Sequence, residues 1–200
     1  MATLLKVEVS PRGDWSVSRK LGDLYQEKWL EANPGGTVVT RDVAANPLPF
    51  VDLQWIAGAY SPVNEHTEAH KAALKPSDEL IAELLGADEV LITTPLYNFN
   101  MPSAFKAWID HIIRIGKTFS ASYEGLAKGR KVTVIIAAGA NYGAGSPMHG
   151  VDFVTSYLKF IFGFIGITDV TVHINDQTTQ VLQGTKTIEE YTAEHNIALS

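Results

Sequence analysis

The chain has 200 residues, a formal charge of −6, no cysteine, 46% hydrophobic residues and a mean hydropathy of +0.02. That length and apolar content bury one substantial core without requiring a second, so a single domain over residues 1–200 is expected, and the acidic balance without a Lys or Arg run speaks against nucleic acid, whose binding comes largely from neutralising phosphates. Without cysteine, disulfides, thiolate nucleophiles and Cys-ligated metals are excluded, so any redox chemistry falls to a bound cofactor.

The start of the chain reads as a strand rather than a basic and apolar leader, and no stretch approaches ~20 apolar residues, which points to the cytoplasm and away from a membrane. Apolar spacing predicts a strand at residues 3–9, a polar turn at 10–18, and a helix at about 18–33 with Leu21, Leu24, Tyr25 and Trp29 on one face. Pro34, Gly35 and Gly36 end that helix, and a second strand follows at 37–42. The next stretch, punctuated by Pro47, Pro49 and Pro62, has no clear period. Helices are predicted at 63–74 and 77–85, with Pro76 between them, before a third strand at 89–94.

That strand empties into Pro95-Leu96-Tyr97-Asn98-Phe99-Asn100-Met101-Pro102, and a helix is predicted at 103–115. Beyond Gly116 and Gly125, a basic turn at 128–131 leads to a fourth strand at 132–138 and a glycine-rich loop at 139–150. A largely apolar helix at 151–164, a fifth strand at 169–174 and an amphipathic helix at 187–197 complete the series. Strands alternating with helices predict an α/β fold, a five-stranded parallel sheet with helices on both faces. In such sheets the loops after strands one, three and four share an edge, and ligands sit there.

The first loop offers the hydroxyls of Ser10, Ser16 and Ser18, a glycine at Gly13 and the N–H groups that open the next helix, beginning near Val17. This combination suits a phosphate dianion. The alternative is that Ser16 or Ser18 only caps the helix. Neither a Walker loop nor a Gly-x-Gly-x-x-Gly turn is present, so a monophosphate fits better than a nucleoside triphosphate. In the second loop Tyr97 and Phe99 supply flat apolar contact while Asn98 and Asn100 supply amides, as a heteroaromatic ring with polar edges requires. Ala104, Trp108 and Ile112 repeat at helical spacing, which sends Trp108 to the core.

On Ser10, Ser16 and Ser18, on residues 95–102, on Phe105-Lys106-Ala107-Trp108-Ile109-Asp110 and on Gly163-Phe164-Ile165-Gly166-Ile167, the chain resembles the FMN-dependent NADH azoreductases, also described as NADH:quinone oxidoreductases, of flavodoxin-like fold. The resemblance implies that Ser10 and Ser16-Val17-Ser18 hold the FMN phosphate, and that Pro95, Leu96, Tyr97, Asn98 and Phe99 line the isoalloxazine ring. It assigns the ring's pyrimidine edge to the loop after strand four, here Ala138, Gly139, Ala140 and Asn141. Family members often carry Ser-Arg-Gly-Gly in that loop, whereas this chain has Ala137-Ala138-Gly139-Ala140. The activity implied is hydride transfer from NADH through tightly held FMN to a quinone or azo compound by a two-step, ping-pong exchange. No dedicated protein acid or base is expected, and a homodimer is. A flavodoxin-like electron carrier, holding FMN without turning over small molecules, is the second reading.

Other constellations carry less. His66 and His70 lie one helical turn apart, but no third ligand is evident, and no metal site is expected. Glycine-flanked Ser146 has Ala144 where a nucleophile elbow needs glycine and is followed directly by Pro147, so a serine hydrolase is rejected. Phe160, Phe162 and Phe164 belong by default to core packing, with the excess available to a dimer interface, and Asp152 reads as a helix-start residue.

Overall fold

The computed structural model describes residues 1–195 and 197–199. Its sheet has five parallel strands, β1 (Thr3–Glu8), β2 (Thr37–Asp42), β3 (Glu89–Pro95), β4 (Lys131–Ala137) and β5 (Asp169–Asn175), in the order β2-β1-β3-β4-β5. The three inner strands are buried almost throughout because both faces are covered, which is why they read as continuous apolar runs. Alternate residues serve opposite layers. Leu4, Leu91 and Ile135 pack against α1 (Val17–Ala32) and α7 (Ile188–Glu194). Leu5, Val7, Val90, Ile92, Val134 and Ile136 meet α3 (Glu68–Gly86), α4 (Ser103–Ile112) and α5 (Val154–Phe164). Trp108 is fully buried in that second layer, as its spacing predicts.

Two helices differ from expectation. Pro76 does not separate two helices: α3 runs through it. Its missing N–H and ring clash cost about 3 kcal/mol in an isolated helix, but tertiary contacts carry the chain across. Ser77, fully buried, donates its hydroxyl to the His111 carbonyl at 2.6 Å and accepts from Arg114 Nη1 at 3.0 Å, while Leu80, Ile81 and Leu84 enter the core. Residues 63–65 form only a 3₁₀ turn, because Thr67 starts α3 afresh by accepting the His70 N–H. The unperiodic stretch before them contains α2 (Leu53–Tyr60), capped by Asp52, which accepts the Trp55 N–H at 2.8 Å. Gly58 lets α2 lie against α3, since a Cβ there would stand 2.9 Å from Leu74 Cδ1.

Boundaries shift for local reasons. The α4 helix ends at Ile112 rather than 115 because the Thr118 hydroxyl takes the Ile112 carbonyl and accepts the Arg114 N–H. The α5 helix starts at Val154, where Asp152 accepts the Val154 and Thr155 N–H groups. A four-residue helix, α6 (Thr179–Leu182), follows β5. The α7 helix opens on a capping box between Thr187 and Glu190 and stops at Glu194; within its expected span to Ile197, Asn196 lies outside the described residues.

Candidate cofactor site

The order β2-β1-β3 reverses the direction of winding between β1 and β3, and the crevice beyond the carboxyl ends of these strands is where open α/β sheets take ligands. After β1 the chain makes a 3₁₀ turn at Gly13–Trp15 before Ser16 caps α1. The Ser16 hydroxyl accepts the Arg19 N–H at 3.4 Å and lies 3.2 Å from the Ser18 hydroxyl. Ser10, Ser16 and Ser18 are all buried. An α-helix leaves its first N–H groups without intrahelical acceptors, and those of Val17 and Ser18 find none among the described residues.

After β3, the Leu96 N–H is held by the Ala137 carbonyl, and residues 97–100 turn sharply, Tyr97 and Asn100 exchanging N–H to carbonyl bonds of 2.8 and 2.9 Å. Asn98 and Phe99 have φ of 50° and 65°, the pattern of a type I′ turn. Asparagine tolerates that region. Phenylalanine does so only at a cost, because its Cβ crowds the backbone.

The loop after β4 is tied to the one after β5. The Ala138 N–H donates to the Asn175 carbonyl, and the Thr178 and Thr179 hydroxyls donate to the Ala138 and Gly139 carbonyls at 3.0 and 2.9 Å. Asn141 turns its side-chain oxygen to the Gly143 N–H of its own loop. Tyr142 is anchored to Asp176, and burial pushes its phenol above the usual range, with the Asp152 charge adding to it.

These four loops enclose one cavity of about 200 Å³. Of the residues singled out in the sequence, Ser10, Ser16, Val17, Ser18, Pro95, Leu96, Tyr97 and Gly139 line it together. Ala138 is buried beneath, while Asn98, Phe99, Ala140 and Asn141 are exposed on the adjoining turns. Arg12, Ala137, Thr178, Thr179 and Leu182 line it as well. The strand-end rule applied to the fifth strand would have found Thr178 and Thr179. Tyr97 also borders an apolar hollow of about 350 Å³ formed with Val9, Val43, Leu48, Phe50, Pro102 and Ala104. A larger hollow of about 470 Å³ lies behind the first turn, but there Glu8, Asp14, Asp23 and Glu189 outnumber Arg19 and Lys20, which disfavours an anion.

Charge is organised behind the turn. Arg19 donates Nε and Nη2 to the Ser10 carbonyl at 3.0 and 2.6 Å, and its Nη1 meets Glu8 and, at 2.8 Å, Asp42. Lys6, also buried, bridges Glu8 and Asp23. Burial alone would pull the Arg19 pKa down, but the Asp42 and Glu8 carboxylates outweigh it and hold it above its ordinary value. For Asp42, burial works upward and is overridden by Arg19 and the N–H groups of Ala45 and Ala44, so its carboxyl sits below the usual range. Among the described residues no group of three or more His, Cys, Asp or Glu could hold a metal, and no helix is long and apolar enough to cross a membrane.

The strand order, with a crevice at its switch point, defines a flavodoxin-like α/β protein: the family model described as "Flavodoxin-like fold" matches residues 2–197, and the chain belongs to that family. Within it the chain is one of the FMN-dependent NADH:quinone oxidoreductases. It is 46% identical over 172 residues to FMN-dependent NADH:quinone oxidoreductase 8 of Burkholderia lata, covering 86% of this chain and 82% of that protein. It is 44% identical over 193 residues to FMN-dependent NADH:quinone oxidoreductase 2 of a Jannaschia species, covering 96% and 95%. Among solved structures, azoreductase AzrA superposes with a TM-score of 0.83 at 29% identity, covering 96% of this chain and 94% of that one. An FMN-dependent NADH-azoreductase from Bacillus anthracis in complex with FMN superposes with a TM-score of 0.79 at 27% identity, covering 96% and 97%.

Proposed function

We propose that this chain is an FMN-dependent oxidoreductase that uses NADH to reduce quinones or azo compounds in a ping-pong cycle. The observation that carries the reading is the convergence, in one cavity, of an anion turn with free N–H groups and of a flat wall made by Pro95, Leu96 and Tyr97. These residues fit FMN: the Val17 and Ser18 N–H groups and the Ser10, Ser16 and Ser18 hydroxyls suit its phosphate, and the apolar wall suits its ring. We assign Asn98, Phe99, Ala138, Gly139, Ala140 and Asn141 to the ring and its polar edge, Ala138 through its backbone position. When bound, FMN supplies the hydride chemistry. The protein fixes the phosphate end, shields one side of the ring with Tyr97, and leaves the apolar hollow beside Tyr97 for an aromatic acceptor. That hollow favours small-molecule turnover over simple electron carriage.

The whole chain acts as one flavodoxin-like domain in the cytoplasm, working as a homodimer. Phe50, Leu53, Tyr60 and Val63 are each at least 70% exposed and lie together in sequence on and beside α2, an apolar surface that a second copy would cover. Anaerobic visible spectroscopy of the purified protein, with FMN added to any apoprotein, tests the function. Flavin bands that NADH bleaches and a quinone restores are expected. No bound flavin after reconstitution refutes the FMN assignment, bound flavin that NADH leaves oxidised favours the carrier, and sedimentation at one chain's mass refutes the dimer.

A further inference from the structure

Resting on the FMN reading, we propose that Arg19 is a positioning residue for the cofactor phosphate, closing the anion turn from both ends before the ligand arrives. One residue grips the turn twice. Its backbone N–H is held by the Ser16 hydroxyl, and its guanidinium takes the Ser10 carbonyl with two donors, Nε at 3.0 Å and Nη2 at 2.6 Å. Ser10 lines the cavity, Ser16 borders both the cavity and the hollow behind the turn, and Arg19 lines that hollow and not the cavity. The fork therefore draws the partial negative charge of the Ser10 carbonyl away from the anion site. A freely turning carbonyl there would oppose a phosphate at short range.

Neutralising carboxylates does not by itself explain the arrangement. Glu8, Asp23 and Asp42 share Lys6 and Arg19, so Arg19 does balance charge there, but that balance does not require two of its nitrogens to face the Ser10 carbonyl. A compact ammonium would serve both acids, but a planar fork can converge two donors on one oxygen while a third nitrogen faces the carboxylates. Buried ion pairs are poor stabilisers against apolar replacements, so geometry is the better account of this one. Glu8, Asp42 and Lys6 orient the fork: the β1 and β2 strand ends fix where the guanidinium stands, and it fixes where Ser10 stands.

The test compares FMN with riboflavin, which lacks the phosphate, on the apoprotein. Arg19→Met keeps the stem and removes the fork. FMN affinity is expected to fall about 10- to 100-fold, the scale of lost bonds made by a charged group, while riboflavin affinity changes less than about threefold on the same reasoning. Arg19→Lys is expected to restore the thermal midpoint without restoring the FMN-to-riboflavin ratio. Should Arg19→Met fold poorly, the double variant Arg19→Met with Glu8→Gln removes both charges and is held to the same ratio. Equal weakening of both flavins, or a ratio fully rescued by lysine, overturns the proposal. Wild-type apoprotein that binds neither flavin overturns the FMN reading instead.

Discussion

Phe99 stands in the left-handed region, at φ 65°, where a type I′ turn ordinarily has glycine. Replacing it separates two effects. Phe99→Ala and Phe99→Gly lose the same ring, which is 45% exposed, so their packing losses cancel in the comparison. Left-handed backbone costs an L-residue about 1–2 kcal/mol. Glycine avoids that cost but gives up about 0.4–1 kcal/mol through the greater freedom of its unfolded chain. The glycine variant should therefore be the more stable by about 0.5–1 kcal/mol, the reverse of the usual order of these two residues in helices and strands. For a domain of this size that is about 1–4 °C in the apoprotein's thermal midpoint. Both variants should bind FMN more weakly than wild type, since strain of this kind persists where the surroundings use the conformation it enforces. An alanine variant as stable as the glycine variant refutes the turn geometry. Unchanged FMN affinity in both refutes the place of Phe99 at the ring.

Gly125 packs on the α5–β5 connection so closely that a Cβ would stand 2.2 Å from Gly166 N and 2.3 Å from Ile165 C, so Gly125→Ala should cost about 3 kcal/mol or more. Gly86→Ala, at the open end of α3, is its near-neutral control in thermal unfolding, and similar losses in the two would refute the packing argument. Burial lowers the His173 pKa on β5, and its Nε2 has no hydrogen-bond partner among the described residues. The unfolded chain then takes up the proton first as pH falls, so the stabilisation is full above about 6.5 and lost as pH drops through the folded value. Urea midpoints of wild type should fall between pH 7.5 and 5.5 more than those of His173→Val; parallel slopes would show that His173 does not titrate this way.

Much of this architecture is legible in the sequence because the sheet is covered on both sides. Runs such as Val90-Leu91-Ile92 leave no other sensible placement, and the three strand-end loops follow from strand order. What stayed hidden depends on contacts far along the chain. Pro76 reads locally as a break and is overridden by Ser77 and Arg114 reaching α4 and its loop. The α2 helix carries a local signal, Asp52 three residues before Trp55, but its face is defined only by packing on α3. At the site, Ser16 proved to be a helix cap and a cavity wall at once, so the two readings of that serine were never exclusive. Arg19 carried no motif. Its importance emerges only when the carbonyl of Ser10 comes within reach of its side chain.

The cavity draws its walls from residues 10–18 at one extreme and from Thr178, Thr179 and Leu182 at the other. A chain still on the ribosome therefore has no complete pocket until Leu182 has emerged. Binding selects the chain in which both sets of walls are in place, stabilising it by about 2.7 kcal/mol when free ligand stands at a hundred times its Kd. Truncation ahead of Thr178 forfeits that gain even if the sheet survives. On the proposed assignment, cofactor retention reports that the chain is present through Leu182.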